Sequence, residues 1–393
     1  MISNAPFAQS WQREWQWLRG SPWDMAMIFW LPLGSVFFIW WLFAAQIPFQ
    51  LPIGVWDQDH SSLSRQITRY LDATPGLRVA AQYSDGREAQ AALQAGAVYA
   101  VMYLPNELSN NVKSGQPANV VLNVNAQFGT HSGLIERDVK TTIGTLSAGI
   151  QMQMRMAHGQ PAEQAQASFS PLQSNNTALF NVAGNYQLFL GSVLIPALLH
   201  IFAVTAGAYS VGRELRDKIL GQWLGTRIDW ATCSIALLGK LAPAMLALSL
   251  VTGISMWLIA QPGVDSLSAL LTVYLSLCLL IFLSLVIGAS FSLITGSLRI
   301  ALSGGAFMTS PAFAFSGTGF PLLAMSSGAY AWAMLLPFTH HALLQVKLLQ
   351  MQGPVSLAIP ALIGFTLASM VFFAVDIALL QRALKRPEKW GAR

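Results

Sequence analysis

The sequence predicts a polytopic α-helical membrane protein: six transmembrane helices, with an extracytoplasmic α/β domain inserted after the first. Composition is the first reason. Charged residues make up 10% of the chain and apolar residues 54%, whereas soluble domains carry about a quarter charged residues. Layout is the second. A helix crossing a bilayer needs about 20 mostly apolar residues, because no water is present to satisfy free backbone groups. Such runs occur at 26–47, 185–210, 231–260, 267–295, 299–320 and 356–381, while 48–184 is polar. The third reason is where Lys and Arg fall. With the N-terminus inside, Arg13, Arg19, Arg213, Arg216, Lys218, Arg227, Arg299, Arg382, Lys385, Arg386, Lys389 and Arg393 share the cytoplasmic face, and the short outer loops keep only Lys347. The same asymmetry accounts for the net charge of +5, so that charge gives no reason to expect nucleic acid.

Residues 1–25 precede the first span. Within 7–20, Trp11, Trp15 and Leu18 recur at helical spacing, with Arg13, Glu14 and Arg19 between them. That pattern suits a cytoplasmic helix lying in the interface, its tryptophans at headgroup depth. The plainer alternative is the cytosolic end of the first span. The run 26–47 is too long for the apolar core of a cleavable signal, and Ala44-Ala45 is a weak cleavage site, so it reads as a signal anchor.

The polar region is long enough for one compact domain. Strands are expected at 53–56, 77–82, 97–104 and 119–125, and helices at 61–71, 87–95, 106–114 and 130–158. The alternation predicts a mixed or parallel sheet. Residues 160–173 read as a linker into the second span, and Asn175-Asn176-Thr177 fits a glycosylation sequon. Asp57, Asp59 and His60 follow the first strand. A metal or sugar-nucleotide site is one reading; turn chemistry, with Asp59 or Ser61 capping the next helix, is the other. Two carboxylates without further ligands make a poor metal cage.

Residues 185–381 hold the remaining spans. Pro262 and Gly263 mark a short turn, 297–299 another, and 322–355 is interrupted by Pro337, His340, His341 and Lys347, as expected of an outer re-entrant segment. Gly304-Gly305 suits close helix packing. Three ionisable residues fall inside spans: His200, Lys240 and Asp376. A proton relay would need them on facing helices; otherwise Lys240 and Asp376 snorkel or pair near the interface and His200 makes one hydrogen bond. Cys233 and Cys278, both in apolar runs, read as buried thiols, and no metal site or catalytic residue is assigned. The chain has no GxxxxGK[ST] loop, so it is expected to carry no cofactor of its own. Gly212-Arg213-Glu214-Leu215-Arg216-Asp217-Lys218 continues a helix out of the membrane, and Ile219-Leu220 with Trp223-Leu224 adds an apolar face suited to a soluble partner. An ordinary positive-inside loop is the competing reading. Residues 382–393 form a cytoplasmic tail.

Gly212-Arg213-Glu214 followed by Gln222-Trp223-Leu224 resembles the inner loop of ABC-2 type transport permeases, with Lys218-Ile219 standing where that family usually has Gly-Thr. The segment from Phe315 through Ser316, Gly317, Thr318, Gly319 and Phe320 to Pro321, then Met325, Leu336-Pro337 and Gly353, resembles its outer re-entrant region. Asp57-Gln58-Asp59, Ser61, Ser64, Arg65 and 100–108 resemble the large first outer loop of the efflux-type branch. The resemblance implies an exporter permease in a bacterial inner membrane, both termini cytoplasmic and 48–184 periplasmic. Its implied partners are a cytosolic ABC ATPase subunit that binds ATP, a second permease subunit, identical or paralogous, a periplasmic adaptor and membrane lipid. It implies ATPase coupling through Arg213, Glu214, Arg216, Asp217, Trp223 and Leu224, and an outer region at Ser316, Gly317, Phe320, Pro321 and Pro337. The implied cargo is a hydrophobic or amphiphilic compound such as a drug or lipid. A gradient-driven secondary transporter and a membrane-anchored envelope receptor or scaffold remain the other classes. An enzyme confined to the outer domain would have only Asp57 and Asp59 to work with.

Overall fold

The computed structural model describes residues 5–114, 116–157, 185–225, 229–260 and 266–391. The chain divides into two compact units, Met1–Gln46 with Ala178–Arg393, and Ile47–Thr177. The first unit opens with α1 (Ala5–Gly20) and α2 (Pro22–Leu42). The second contains β1 (Leu51–Asp57), α3 (Ser62–Asp72), β2 (Leu77–Tyr83), α4 (Gly86–Gln94), β3 (Ala100–Leu104), α5 (Leu108–Lys113), β4 (Val121–Val124) and α6 (Gly129–Ala157). The first then resumes with α7 (Gln187–Arg216), α8 (Leu220–Leu224), α9 (Trp230–Ala260), α10 (Leu267–Thr295), α11 (Leu298–Thr309), α12 (Ser327–Leu335), α13 (Pro337–Gln345) and α14 (Val355–Leu384). The expected linker at 160–173, the Asn175-Asn176-Thr177 sequon, the Pro262-Gly263 turn, Arg227 and Arg393 lie outside the described residues.

Among the described residues five helices are long and apolar enough to cross a bilayer: α2, α7, α9, α10 and α14. The expected fifth span, 299–320, is not among them. Its helix, α11, ends at Thr309 after 12 residues, about 18 Å at 1.5 Å per residue, short of a hydrocarbon core about 30 Å thick. Pro311 has no N–H to continue the ladder, and the chain turns from Ser310 to Phe320. The Ser316 hydroxyl donates to the Phe313 carbonyl at 2.7 Å, and Gly317 then takes φ +85°, a conformation that closes the segment. The expected re-entrant stretch, 322–355, contains the short helices α12 and α13.

The first unit is built around contact between α7 and α10. A Cβ placed on Gly207 would stand 1.9 Å from the Leu285 carbonyl oxygen, and one on Gly288 would stand 2.1 Å from that of Val204. The two backbones therefore touch, and the Ser292 hydroxyl donates across to the Ala208 carbonyl at 2.7 Å. Helix α7 carries Pro196 in its interior, which leaves the Ser192 carbonyl without its helical donor. The Gln345 side-chain amide of α13 takes that place, donating to Ser192 O at 2.7 Å, while Gln350 donates to Leu188 O at 2.8 Å. The carbonyl freed by Pro196 is thus a docking point for α13, and the turn after it docks one turn earlier on the same span.

The second unit is a four-stranded sheet of order β2-β1-β3-β4, parallel except for β4, which runs antiparallel to β3. Central β1 is buried on both faces: Ile53 and Val55 pack in the main core with Leu71, Met102 and Ile135, and Trp56 packs with Ala89 and Val101 on the other side. Asp57 Oδ1 accepts the backbone N–H groups of Asp59 and His60, and Asp59 Oδ2 accepts that of Ser109. Ser61 and Ser64 form a reciprocal cap at the start of α3. Asp57 thus holds a local turn and Ser61 caps the next helix, while Asp59 reaches across to the start of α5.

Two substitutions separate close packing from open surface. Gly288→Ala is expected to destabilise the detergent-solubilised protein by about 1–3 kcal/mol, because its clash is with backbone. Gly364→Ala, where an added Cβ meets nothing within 4 Å, is expected to be neutral or slightly stabilising in the same thermal-unfolding assay.

Candidate functional site

Helix α1 buries Ser10, Glu14 and Leu18, one residue per turn, and leaves Trp11 and Trp15 half-buried beside them. The inward stripe therefore carries Ser10 and Glu14 beside Leu18, with the two tryptophans at its flank. Helix α9 accommodates it with Gly239, where a Cβ would lie 2.6 Å from the Phe7 carbonyl. So seated, α1 brings Arg13 and Glu14 to the ends of α2, α7 and α9.

Six charges meet there. Arg13 grips Glu214 with both forks, Nε to Oε1 and Nη2 to Oε2, each at 2.9 Å. Lys240 Nζ donates to Glu214 Oε1 at 2.7 Å and to Glu14 Oε2 at 2.8 Å. Arg213 Nη2 donates to Glu14 Oε2 at 2.8 Å, and its Nη1 to Asp24 Oδ2 at 2.9 Å. The chain of contacts runs Asp24, Arg213, Glu14, Lys240, Glu214, Arg13, alternating in sign and summing to zero. Lys240 and Glu214 are fully buried and Arg213 is 2% exposed. The Arg13 guanidinium has its pKa raised, chiefly by its hydrogen bonds to Glu214.

Aromatic rings complete the enclosure. The Arg213 guanidinium lies 4.8 Å from the Trp17 ring, and Lys240 Nζ lies 4.9 Å from that of Trp223. The Trp223 indole N–H donates to Ser10 Oγ at 2.8 Å, tying α8 to α1. Helix α8 thus points its apolar side inward: Leu220, Trp223 and Leu224 are buried.

The six residues expected at this inner loop therefore separate into two groups. Arg213, Glu214, Trp223 and Leu224 are buried in the chain's own interior. Arg216 and Asp217 are exposed, along with Lys218 and Gln222. Arg216 holds Asp217 through two hydrogen bonds, at 2.7 and 2.9 Å, and keeps that carboxyl below its usual pKa. Sequence reasoning missed Glu14 and Asp24 as partners. The available signal was the Ser10, Glu14, Leu18 spacing, which places a carboxylate on the face opposite solvent.

The expected outer residues do not form one cluster. Ser316 is buried and bonded to Phe313 and Thr318, whereas Phe320 and Pro321 are exposed, and Pro337 starts α13. His200 and Asp376 inside spans, and His341 on α13, are held by serines of α10. Ser284 Oγ lies 2.7 Å from His200 Nδ1, Ser290 donates to Asp376 Oδ1 at 2.6 Å, and Ser276 Oγ lies 3.0 Å from Nδ1 of His341, a residue sequence reasoning passed over. The second atoms, His200 Nε2, His341 Nε2 and Asp376 Oδ2, are buried without a partner. Cys233 and Cys278 are free thiols.

Helices long and apolar enough to cross a bilayer, tied together at one end by buried charges, define a helical membrane protein. The chain belongs to the ABC-2 family of transporter proteins, whose family model matches residues 22–378. No curated protein matches it. Members of this family are membrane permeases of ABC transporters and work with an ATP-binding subunit.

Removing the central cation tests the cluster. Lys240→Met leaves Glu14 and Glu214 short of a partner in a buried site, and is expected to cost about 3–5 kcal/mol in thermal or denaturant unfolding. Arg216→Ala, on an exposed pair, should stay within about 0.5 kcal/mol of the parent.

Proposed function

We propose that this chain is the permease subunit of an ATP-driven exporter that moves hydrophobic or amphiphilic compounds out of the cytoplasm or inner leaflet. A separate cytosolic ATPase docks on the exposed turn after α7, at Arg216, Asp217, Lys218 and Gln222. Two permease subunits, identical or paralogous, face each other above two ATPases. Both termini are cytoplasmic, and the unit Ile47–Thr177 lies outside, in the periplasm, where it shapes an exit route or meets an adaptor. The broken segment 298–321 completes a sixth crossing together with its irregular turn.

One observation carries this reading: the exposed turn is welded to the buried charges. Arg216 is two residues from Glu214 on the same helix, and Glu214 holds both Arg13 and Lys240. A push delivered at the turn cannot be absorbed locally, because breaking the buried pairs costs several kcal/mol. It moves α1, α7 and α9 as one body. A motor that binds the two arrangements unequally supplies the energy. The clustering of cations at this end of the bundle supports its cytoplasmic placement.

A second reading, a gradient-driven transporter, is favoured by His200, His341 and Asp376 along α10. Their serine anchors are eight and six residues apart on α10, about 12 and 9 Å of helix rise.

The test is co-expression with the cognate ATPase. Capture of the ATPase on the solubilised chain and ATP-dependent export are expected, and Arg216→Glu with Lys218→Glu should weaken capture at least tenfold while leaving the melting temperature unchanged. Export that survives ATP depletion but stops when the proton gradient is collapsed would replace this reading with the second.

A further inference from the structure

At the membrane end opposite Arg382 and Lys385, α12 and α13 leave a cleft of about 580 Å³ against α14. That volume lies within the roughly 300–1,000 Å³ of ordinary ligand sites. Its walls are Leu335, Leu343 and Leu357 near the mouth and Phe365 and Phe372 along its length. From Pro360 to Phe372 the cleft follows α14 for 12 residues, about 18 Å, more than half of a bilayer's hydrocarbon core. Leu335, Leu357 and Phe372 are all substantially exposed, so it opens sideways toward lipid.

The mouth carries one fixed charge. Lys347 lines it and is exposed. No Asp or Glu occurs in the sequence from Ser266 to Val375, so among the described residues α10 to α13, and α14 as far as Val375, supply no carboxylate to it. His340 also lines the mouth, but its Nε2 is engaged, donating to the Met334 carbonyl at 2.9 Å. An apolar slot of acyl-chain length beneath an unneutralised ammonium is complementary to a lipid with a negative head. A zwitterionic lipid brings a cation of its own to the same place.

We propose that this cleft is a binding site for an anionic phospholipid of the surrounding bilayer, with one acyl chain along α14 and the phosphate at Lys347. A basic residue near an anionic headgroup is worth about 1 kcal/mol, which is about fivefold in affinity. The site stands apart from the exposed turn after α7, so it does not depend on the exporter reading.

Photo-crosslinking of the full-length protein in mixed nanodiscs tests it, using phosphatidylglycerol and phosphatidylcholine with the same diazirine-bearing acyl chain. Phosphatidylglycerol is expected to label the segment 357–372 about fivefold more than phosphatidylcholine. Lys347→Gln should equalise the two lipids without lowering phosphatidylcholine labelling. Gly364→Trp, at a position where an added Cβ meets nothing within 4 Å, should fill the cleft and abolish labelling by both while the protein still melts cooperatively. Equal labelling by the two lipids in the parent, or a preference that survives Lys347→Gln, overturns the proposal. So does labelling of 357–372 that persists in folded Gly364→Trp.

Discussion

Three carboxylates and three cations drawn out of water hold the membrane unit together at one end, and their mutual dependence constrains everything attached to them. Each ion alone would cost several kcal/mol to bury. Arranged as Asp24, Arg213, Glu14, Lys240, Glu214 and Arg13, each inner member touches two of opposite sign. No member can leave without exposing a neighbour to the same penalty. Elements some two hundred residues apart in sequence are thereby fixed to one another, and hydrophobic packing, which is non-directional, could not set their register so narrowly.

This arrangement also decides which residues are free to deal with the outside. Glu214 and Arg213 look available in the sequence because they sit in a charged loop after an apolar run. In the fold they are spent internally, and the surface falls to Arg216, Asp217, Lys218 and Gln222 on the next turn. Helix α8 follows the same logic. Its Trp223 faces Lys240 and Ser10, so its apolar side closes the charge cluster instead of presenting itself to a partner. The exposed turn and the buried lock are consecutive parts of one helix end.

The long spans were legible because lipid forbids unsatisfied backbone, so apolar length alone marks a helix. Helices α9 and α10 begin and end within a residue of where the apolar runs do. The strands around Ile53, Val79 and Met102 were legible from alternation and turn residues. The short α11 was not. Its apolar run continues well past Thr309, and Pro311 with the left-handed Gly317 overrides hydrophobicity there. The cluster was half legible. Lys240 inside a span demanded a partner, but an acid 226 residues away on another helix leaves no local trace. His341 was read only as an interruption of an outer re-entrant segment, although its ring is wholly buried against Ser276.

The same rule that explains the locked end gives meaning to the opposite one. Inside or beside the membrane, a charge is either paired by the protein or left for something else to pair. Lys240 satisfies the first condition twice over, with Glu14 and Glu214. Lys347 falls under the second condition, since no acid occurs from Ser266 to Val375 in the helices around it. A free ammonium in bulk water would need no explanation. This one stands at the head of an apolar slot running about 18 Å into the bilayer region, where the usual source of negative charge is a lipid phosphate. The two ends of the bundle are thus complementary solutions to one electrostatic problem: the first is closed by the chain's own carboxylates, and the second is left open to the membrane.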